Sequence, residues 1–430
     1  MRLKKGSRTA LVLAGGGITG AVYEIGALRA IDDLLIDRTV NDFDIYVGTS
    51  AGALITSFLA NGISPEMMLE IISGNREDVE PIERKHIFSL NRKDYVNWGL
   101  KLPKKLLSTW YNYLRDFNGL SVFDLAWSLT GALPSGFYDG LGLANYVREG
   151  LLNLNRPDNF NELERELYIV ATELDSGKRA VFGPGHLDAP ISLAVAASSA
   201  LPLVYKPVQI NHREYIDGSL RGNASIDIAI EHGATLIVCI NPLVPFEGDE
   251  QDLVKMSQGK MSSLSTKGIP SISNQALRIT LHSGLHYHLK QIRRTHPEVD
   301  IILIEPRPKD YEMFFYNIMH YSARLNVARH GFESVTYDLA RDYHYYKDTM
   351  IRHHIPITRR LVIEELAEIE QSNHDPQVIR KVLEAKSIGC GSRNRDEPLC
   401  RLSRTLAELD LLLDRLEVEA EEESLSIGQG

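Results

Sequence analysis

A chain of 430 residues with 43% hydrophobic and 24% charged residues has the composition of a folded protein, and length enough for one large catalytic domain plus an appendage. Its net charge of −10 argues against a general nucleic-acid binder, and its three cysteines, Cys239, Cys390 and Cys400, form neither a disulfide framework nor a metal-ligand spacing. A reducing, cytoplasmic setting is the expectation.

Arg2, Lys4, Lys5 and Arg8 precede an apolar run too brief for a secretion signal, and no stretch reaches the roughly 18 apolar residues of a membrane span. Residues 9–14 read as a buried strand and residues 21–35 have helical apolar spacing. Between them stands Gly15-Gly16-Gly17-Ile18-Thr19-Gly20. This loop also matches the dinucleotide fingerprint, but that use needs an acidic residue closing the next strand, about 20 residues on. The next strand, Asp44-Ile45-Tyr46-Val47, closes instead on Gly48-Thr49-Ser50-Ala51-Gly52. No cofactor is therefore expected, and no metal.

G-x-S-x-G between an apolar run and a helix-forming segment is the pattern of a nucleophile elbow, with Ser50 at the apex of a strained turn flanked by Gly48 and Gly52. At a helix N-terminus free N–H groups favour developing negative charge. A glycine turn that merely contains serine would look the same in isolation. The glycine loop has a use beside such a serine: its N–H groups can approach a carbonyl oxygen as it gains charge. Loop and elbow, following two adjacent parallel strands, would meet at the strands' carboxyl ends, where open α/β sheets place their sites.

Ser64-Pro65-Glu66 begins a capped helix. The period breaks between about residues 75 and 139, which read as an insertion or lid over the site. Within it, residues 92–115 hold six basic residues against one acid, together with Trp98 and Trp110. Leu106, Leu107, Trp110, Tyr113 and Leu114 share one helical stripe there, which suits either a packed lid or docking on an anionic membrane surface. Strands follow at 167–172, 179–182, 214–216, 236–240 and 299–304, with helices at 191–199 and 273–294 and a polar loop at 247–267. Asp217-Gly218-Ser219 comes directly after a strand, where a carboxylate could enter the same site as Ser50. His186, His212 and His232 are candidate bases for an esterase serine, and none lies in a recognisable loop signature. A boundary near residue 307 separates residues 8–306 from a helical extension, 307–430. Leu402, Leu406, Leu409, Leu413, Leu416 and Ala420 form a short heptad seam, which could pack on the body or join two copies into a homo-oligomer.

Taken together, the chain resembles the patatin-like phospholipase family. The resemblance rests on Gly15 to Gly20, on Gly48 to Gly52 and on Asp217-Gly218, in the family's order, with Ala197-Ser198-Ser199-Ala200-Leu201-Pro202 and Asn223 in support. It implies a three-layer α/β/α fold with a mostly parallel sheet, and a Ser-Asp dyad in which Ser50 attacks an acyl ester and Asp217 takes its proton. It implies an oxyanion hole from the N–H groups of Gly15, Gly16 and Gly17, with Gly20, Gly48, Gly52 and Gly218 as supports. The substrate would be a phospholipid or other acyl-lipid, taken from a membrane or a micelle. Two positions depart from the family pattern. Thr19 stands where Arg or Lys is common, which weakens the case for an anionic headgroup, and Ser219 follows the D-G pair in place of Gly or Ala. Two rivals stand beside this reading: an esterase or thioesterase of the same fold acting on a small soluble ester, and a catalytically silent protein-binding scaffold.

Overall fold

The computed structural model describes residues 6–76, 78–91, 134–248, 263–306, 324–385 and 405. The basic aromatic segment 92–115 and the heptad seam lie outside them. In chain order the elements begin with β1 (Thr9–Leu13), α1 (Gly17–Leu34), β2 (Ile45–Thr49), α2 (Ala51–Ala60), α3 (Pro65–Ser73), α4 (Arg84–Ile87), β3 (Gly136–Tyr138) and α5 (Leu141–Asn153). They continue with β4 (Glu166–Glu173), β5 (Arg179–Phe182), α6 (Ile191–Ser198), β6 (Leu203–Tyr205), β7 (Val208–Ile210) and β8 (Arg213–Asp217). Next come α7 (Ile226–Glu231), β9 (Leu236–Ile240), α8 (Ile269–Thr295) and β10 (Asp300–Ile304). Last are α9 (Arg324–Arg341), α10 (Tyr343–Arg352), α11 (Arg360–Gln371) and α12 (Pro376–Glu384).

Every residue of β1, β2 and β9 is buried. Strands covered on both faces read as unbroken apolar runs, which is how these three appear in the sequence. The large sheet has the order β10-β9-β1-β2-β4-β8-β7, with β5 also paired to β4. β10, β9, β1, β2 and β4 are mutually parallel, while β5 and β8 run antiparallel to β4.

The period of two along each strand sorts its side chains into two cores. Leu11, Leu13, Tyr46, Ile169 and Val238 face the layer containing α1 and α2. Ala10, Val12, Ile45, Val170 and Cys239 face the layer containing α7 and α8. The arrangement is α/β/α around a mostly parallel sheet. Ser64 caps α3 by accepting from Met67 N, and Pro65 occupies the first turn, where its missing N–H costs nothing.

α1 is buried at every position from 19 to 34, so it has no solvent face. A helix of that kind needs a cover on the side away from the sheet, and α9 supplies it. A Cβ added to Gly26 would lie 2.0 Å from Ala328 O, and one on Gly331 2.4 Å from Tyr23 O, so the two backbones touch through glycines. Arg29 of α1 is fully buried, paired with Asp33 and with Glu365 of α11 (3.2 Å), and bonded to Val382 O of α12 (3.4 Å). Helices α9 to α12 thus share the core of the sheet domain.

Candidate active site

Pairing along β4 brings Ser50 and Asp217 together. β2 pairs with β4 up to Thr49 opposite Val170, and β8 pairs with it from Asp217 opposite Ala171. β5 pairs with residues 169–172 of β4, overlapping both partners, so β2 and β8 must share its other edge. They enter from opposite directions and end next to each other. The residue after β2 is Ser50 and the last residue of β8 is Asp217. Their side chains meet, with Ser50 Oγ donating to Asp217 Oδ2 at 2.6 Å.

Ser50 has φ 53° and ψ −118°, a conformation that a non-glycine residue adopts at a cost of about 1–3 kcal/mol. Its surroundings hold it there. Ser50 N donates to Ser198 Oγ (2.8 Å), Ser198 Oγ donates to Val170 O (2.5 Å), and Ser199 Oγ donates to Ser50 O (3.2 Å). Close packing leaves room only for glycine on either side. A Cβ on Gly52 would lie 2.3 Å from Leu13 O, and one on Gly48 2.1 Å from Thr56 Oγ1. In the sequence Ser198 stands out only as part of the family-like string from Ala197 to Pro202. Its role as the acceptor for the elbow's N–H depends on α6 docking beside β4, which no local signal announces.

Asp217 is anchored on all sides. Its Oδ1 accepts from Ser219 N (2.8 Å), its carbonyl from Thr172 Oγ1 (3.1 Å), and its N–H donates to Ala200 O (3.0 Å). Burial pushes its carboxyl above the ordinary carboxylate value, and the bonds from Ser50 and Ser219 offset this only in part. Gly218 follows with its Cα against Val170 O, where a Cβ would come within 2.2 Å.

The glycine loop joins β1 to α1. Gly16 and Gly17 line the same pocket as Ser50 and Asp217. They stand at the N-terminus of α1, whose first N–H groups have no intrahelical acceptor. Gly15, expected as a third donor, is turned elsewhere: its N–H donates to Asn223 O and to Asn223 Oδ1, each at 3.2 Å. Gly20 lies one turn into α1 with Pro242 against it, and Thr19 is buried beside it.

Away from Ser50 the pocket is apolar. Val22 and Ile25 of α1, Leu54 and Phe58 of α2, Met68 and Ile72 of α3, and Leu277 and Leu281 of α8 line it. Arg278 is the cationic residue on the described wall, held by Val244 O (3.0 Å), and burial lowers its pKa to about 10. His186, His212 and His232 are not among the lining residues. His232 instead stacks on Tyr168 and bonds its hydroxyl at 3.0 Å, with His186 Nε2 3.2 Å from its own Nε2. His212 sits in the turn between β7 and β8, at φ 64°. Among the described residues, His282, His286 and Glu305 form a group that brings one ligand atom from each within 4.8 Å of the others, and they lie outside the pocket lining.

The profile of the patatin-like phospholipases matches residues 11–230, about half of the chain and the stretch that holds the elbow, the glycine loop and Asp217. The chain belongs to the patatin-like phospholipase family. A relative within reach of sequence comparison is the "Probable lipid hydrolase 463L" of Invertebrate iridescent virus 6. It is 20% identical over 224 residues, which cover 52% of this chain and 63% of the viral protein. The match thus spans less than two thirds of that relative. Among solved structures, VipD from Legionella pneumophila aligns over 97% of this chain and 88% of its own at 14% identity, with a TM-score of 0.32. A chain of the ExoU–SpcU complex of Pseudomonas aeruginosa aligns over 94% and 70% at 16% identity, with a TM-score of 0.22.

Proposed function

We propose that this patatin-like protein is a serine hydrolase of lipid acyl esters, working through a Ser50–Asp217 dyad. The observation that carries the reading is the 2.6 Å bond from Ser50 Oγ to Asp217 at the polar end of an apolar pocket. Ser50 Oγ attacks the ester carbonyl while its proton passes to Asp217 Oδ2. The carbonyl oxygen becomes an oxyanion facing the N–H groups of Gly16 and Gly17. The C–O bond to the leaving alcohol then breaks and Asp217 returns the proton to that alcohol, leaving an acyl-Ser50. A water loses its proton to Asp217, attacks the acyl carbon, and the fatty acid departs as Ser50 recovers its proton.

A carboxylate is a weak base, with an ordinary pKa of about 3.9. The elevation of Asp217 by burial brings its affinity for a proton closer to what the transfer needs. Oxyanion donors must lower much of the remaining barrier, at about 2.7–4 kcal/mol each. The acyl chain would lie among Val22, Leu54, Phe58 and Leu277. Among the described residues no helix is long and apolar enough to cross a membrane.

The test is a panel of phospholipids, neutral acyl-glycerols and p-nitrophenyl esters of rising chain length, assayed with wild type and Ser50→Ala. Release of fatty acid from long-chain lipids that vanishes in Ser50→Ala is expected. Turnover confined to short soluble esters would favour the small-ester hydrolase. No Ser50-dependent turnover and no labelling by a serine-directed phosphonate would favour the silent scaffold.

A further inference from the structure

The second cluster of chemistry-bearing side chains is at the end of β10. His282 and His286 are one turn apart on α8, so their side chains lie on one face. Glu305 immediately follows β10 and returns to the same level. From residue 286 the helix runs down about 14 Å to its end, and β10 climbs back about 17 Å to residue 305. His286 Nε2 is 2.9 Å from Glu305 Oε2 and His282 Nε2 is 3.6 Å from Glu305 Oε1, the latter beyond hydrogen-bond length. The two imidazole centroids are 4.2 Å apart and the planes are inclined at 46°. One ligand atom from each of the three residues falls within 4.8 Å of the other two.

We propose that His282, His286 and Glu305 bind a divalent first-row transition-metal ion, zinc by preference. Two imidazole nitrogens and a carboxylate are a donor set suited to zinc, which leaves a fourth position for water. Ligand atoms of a tetrahedral zinc site stand about 3.3–3.4 Å apart; His286 Nε2 is 2.9 Å from Glu305 Oε2 and His282 Nε2 is 3.6 Å from Glu305 Oε1, so each imidazole stands near that spacing from one of the two carboxylate oxygens.

Glu305 is oriented as metal-bound carboxylates are, by a second group behind it. Its Oε1 accepts from Asn241 Nδ2 (2.6 Å), and Asn241 Oδ1 accepts from Asn223 Nδ2 (2.8 Å) and from Leu243 N (3.2 Å). Asn223 in turn holds Gly15 N. Asn223 and Asn241 are buried, whereas His286 is exposed and His282 half-buried. The ion therefore reaches the site from solvent and meets a carboxylate fixed from inside. When bound it ties α8 to the end of β10, and through two asparagines to the glycine loop.

The test uses the untagged full chain freed of metal by chelator dialysis, titrated with Zn²⁺ by calorimetry and with Co²⁺ by visible absorption. One equivalent of each should bind, with the intense d–d bands of a low-coordinate Co²⁺ site. His282→Gln and His286→Gln, which keep polar side chains, should each weaken binding at least tenfold. Glu305→Gln should do the same, and Asn241→Ala should weaken it about 10–100-fold. Metal-free melting temperatures of the histidine variants, compared with wild type, confirm that they fold. His186 and His232 form the competing pair, so His186→Gln/His232→Gln should bind as wild type does. Absence of one-equivalent binding in wild type would overturn the proposal. So would undiminished binding in His282→Gln/His286→Gln, or loss of binding in His186→Gln/His232→Gln alone.

Discussion

Replacing Asp217 by Asn separates what the carboxylate does for chemistry from what it does for the fold. The asparagine keeps the shape and its amide oxygen can still accept from Ser219 N, as Asp217 Oδ1 does at 2.8 Å. Its amide nitrogen would face Ser50 Oγ in place of the acceptor now 2.6 Å away, so no group remains to take the Ser50 proton. Loss of a general base costs about 10²–10⁴ in kcat. Stability should move the other way. Two bonds lose their charge assistance, a difference of about 1 kcal/mol each, but the buried charge itself is removed. The raised pKa of Asp217 means that its surroundings on balance favour the neutral carboxyl. A group with a folded pKa above its unfolded value binds more protons in the native state. Its contribution to stability is therefore full below the unfolded pKa of about 3.9, falls as pH rises through the folded pKa, and is level above it. Asp217→Asn lacks that fall. Urea denaturation from pH 4 to pH 8 should show the variant's stability, relative to wild type, rising with pH to a plateau, while hydrolysis is lost throughout. A variant that becomes progressively less stable than wild type as pH rises would show that the site favours the charged carboxylate. That result would refute the account of Asp217 as a burial-raised base.

Three further changes probe the neighbours. Gly16→Val would place a Cβ 2.5 Å from Pro242 Cγ and 2.6 Å from Gly20 Cα, and steady-state kinetics should show kcat lowered about 10²–10³-fold with little change in KM. A normal kcat would remove the loop from the oxyanion role. Ser50→Gly should unfold at higher urea than Ser50→Ala, because only glycine relieves the positive φ, with a net difference of about 0.5–2 kcal/mol after glycine's own entropic cost; equal midpoints would show that the turn stores no strain. Ser198→Ala leaves Ser50 N and Val170 O without their 2.8 Å and 2.5 Å partner and should lose about 1–3 kcal/mol in the same assay. A change under 0.5 kcal/mol, on the scale of a neutral surface substitution, would count against that link.

The elbow, the glycine loop and Asp217-Gly218 could be read in the sequence because each is a local device: a run of apolar residues, then small residues where backbone or charge must come close. The buried strands β1, β2 and β9 were legible for the same reason, since burial on both faces removes polar residues from consecutive positions. β6, β7 and α5 were not, because strands of three residues carry no measurable period and α5 follows the irregular insertion. Nor could the sequence tell which edge of β4 receives β8. That pairing sets Asp217 beside Ser50 across 167 residues of chain, and it depends on β5 having taken the opposite edge. The direction of the Gly15 N–H, the service of Ser198 to the elbow and the cover that α9 lays over α1 are likewise contacts between segments distant in sequence. Local propensity acts within a few residues, whereas these contacts are chosen by which faces remain to be buried once the sheet has formed.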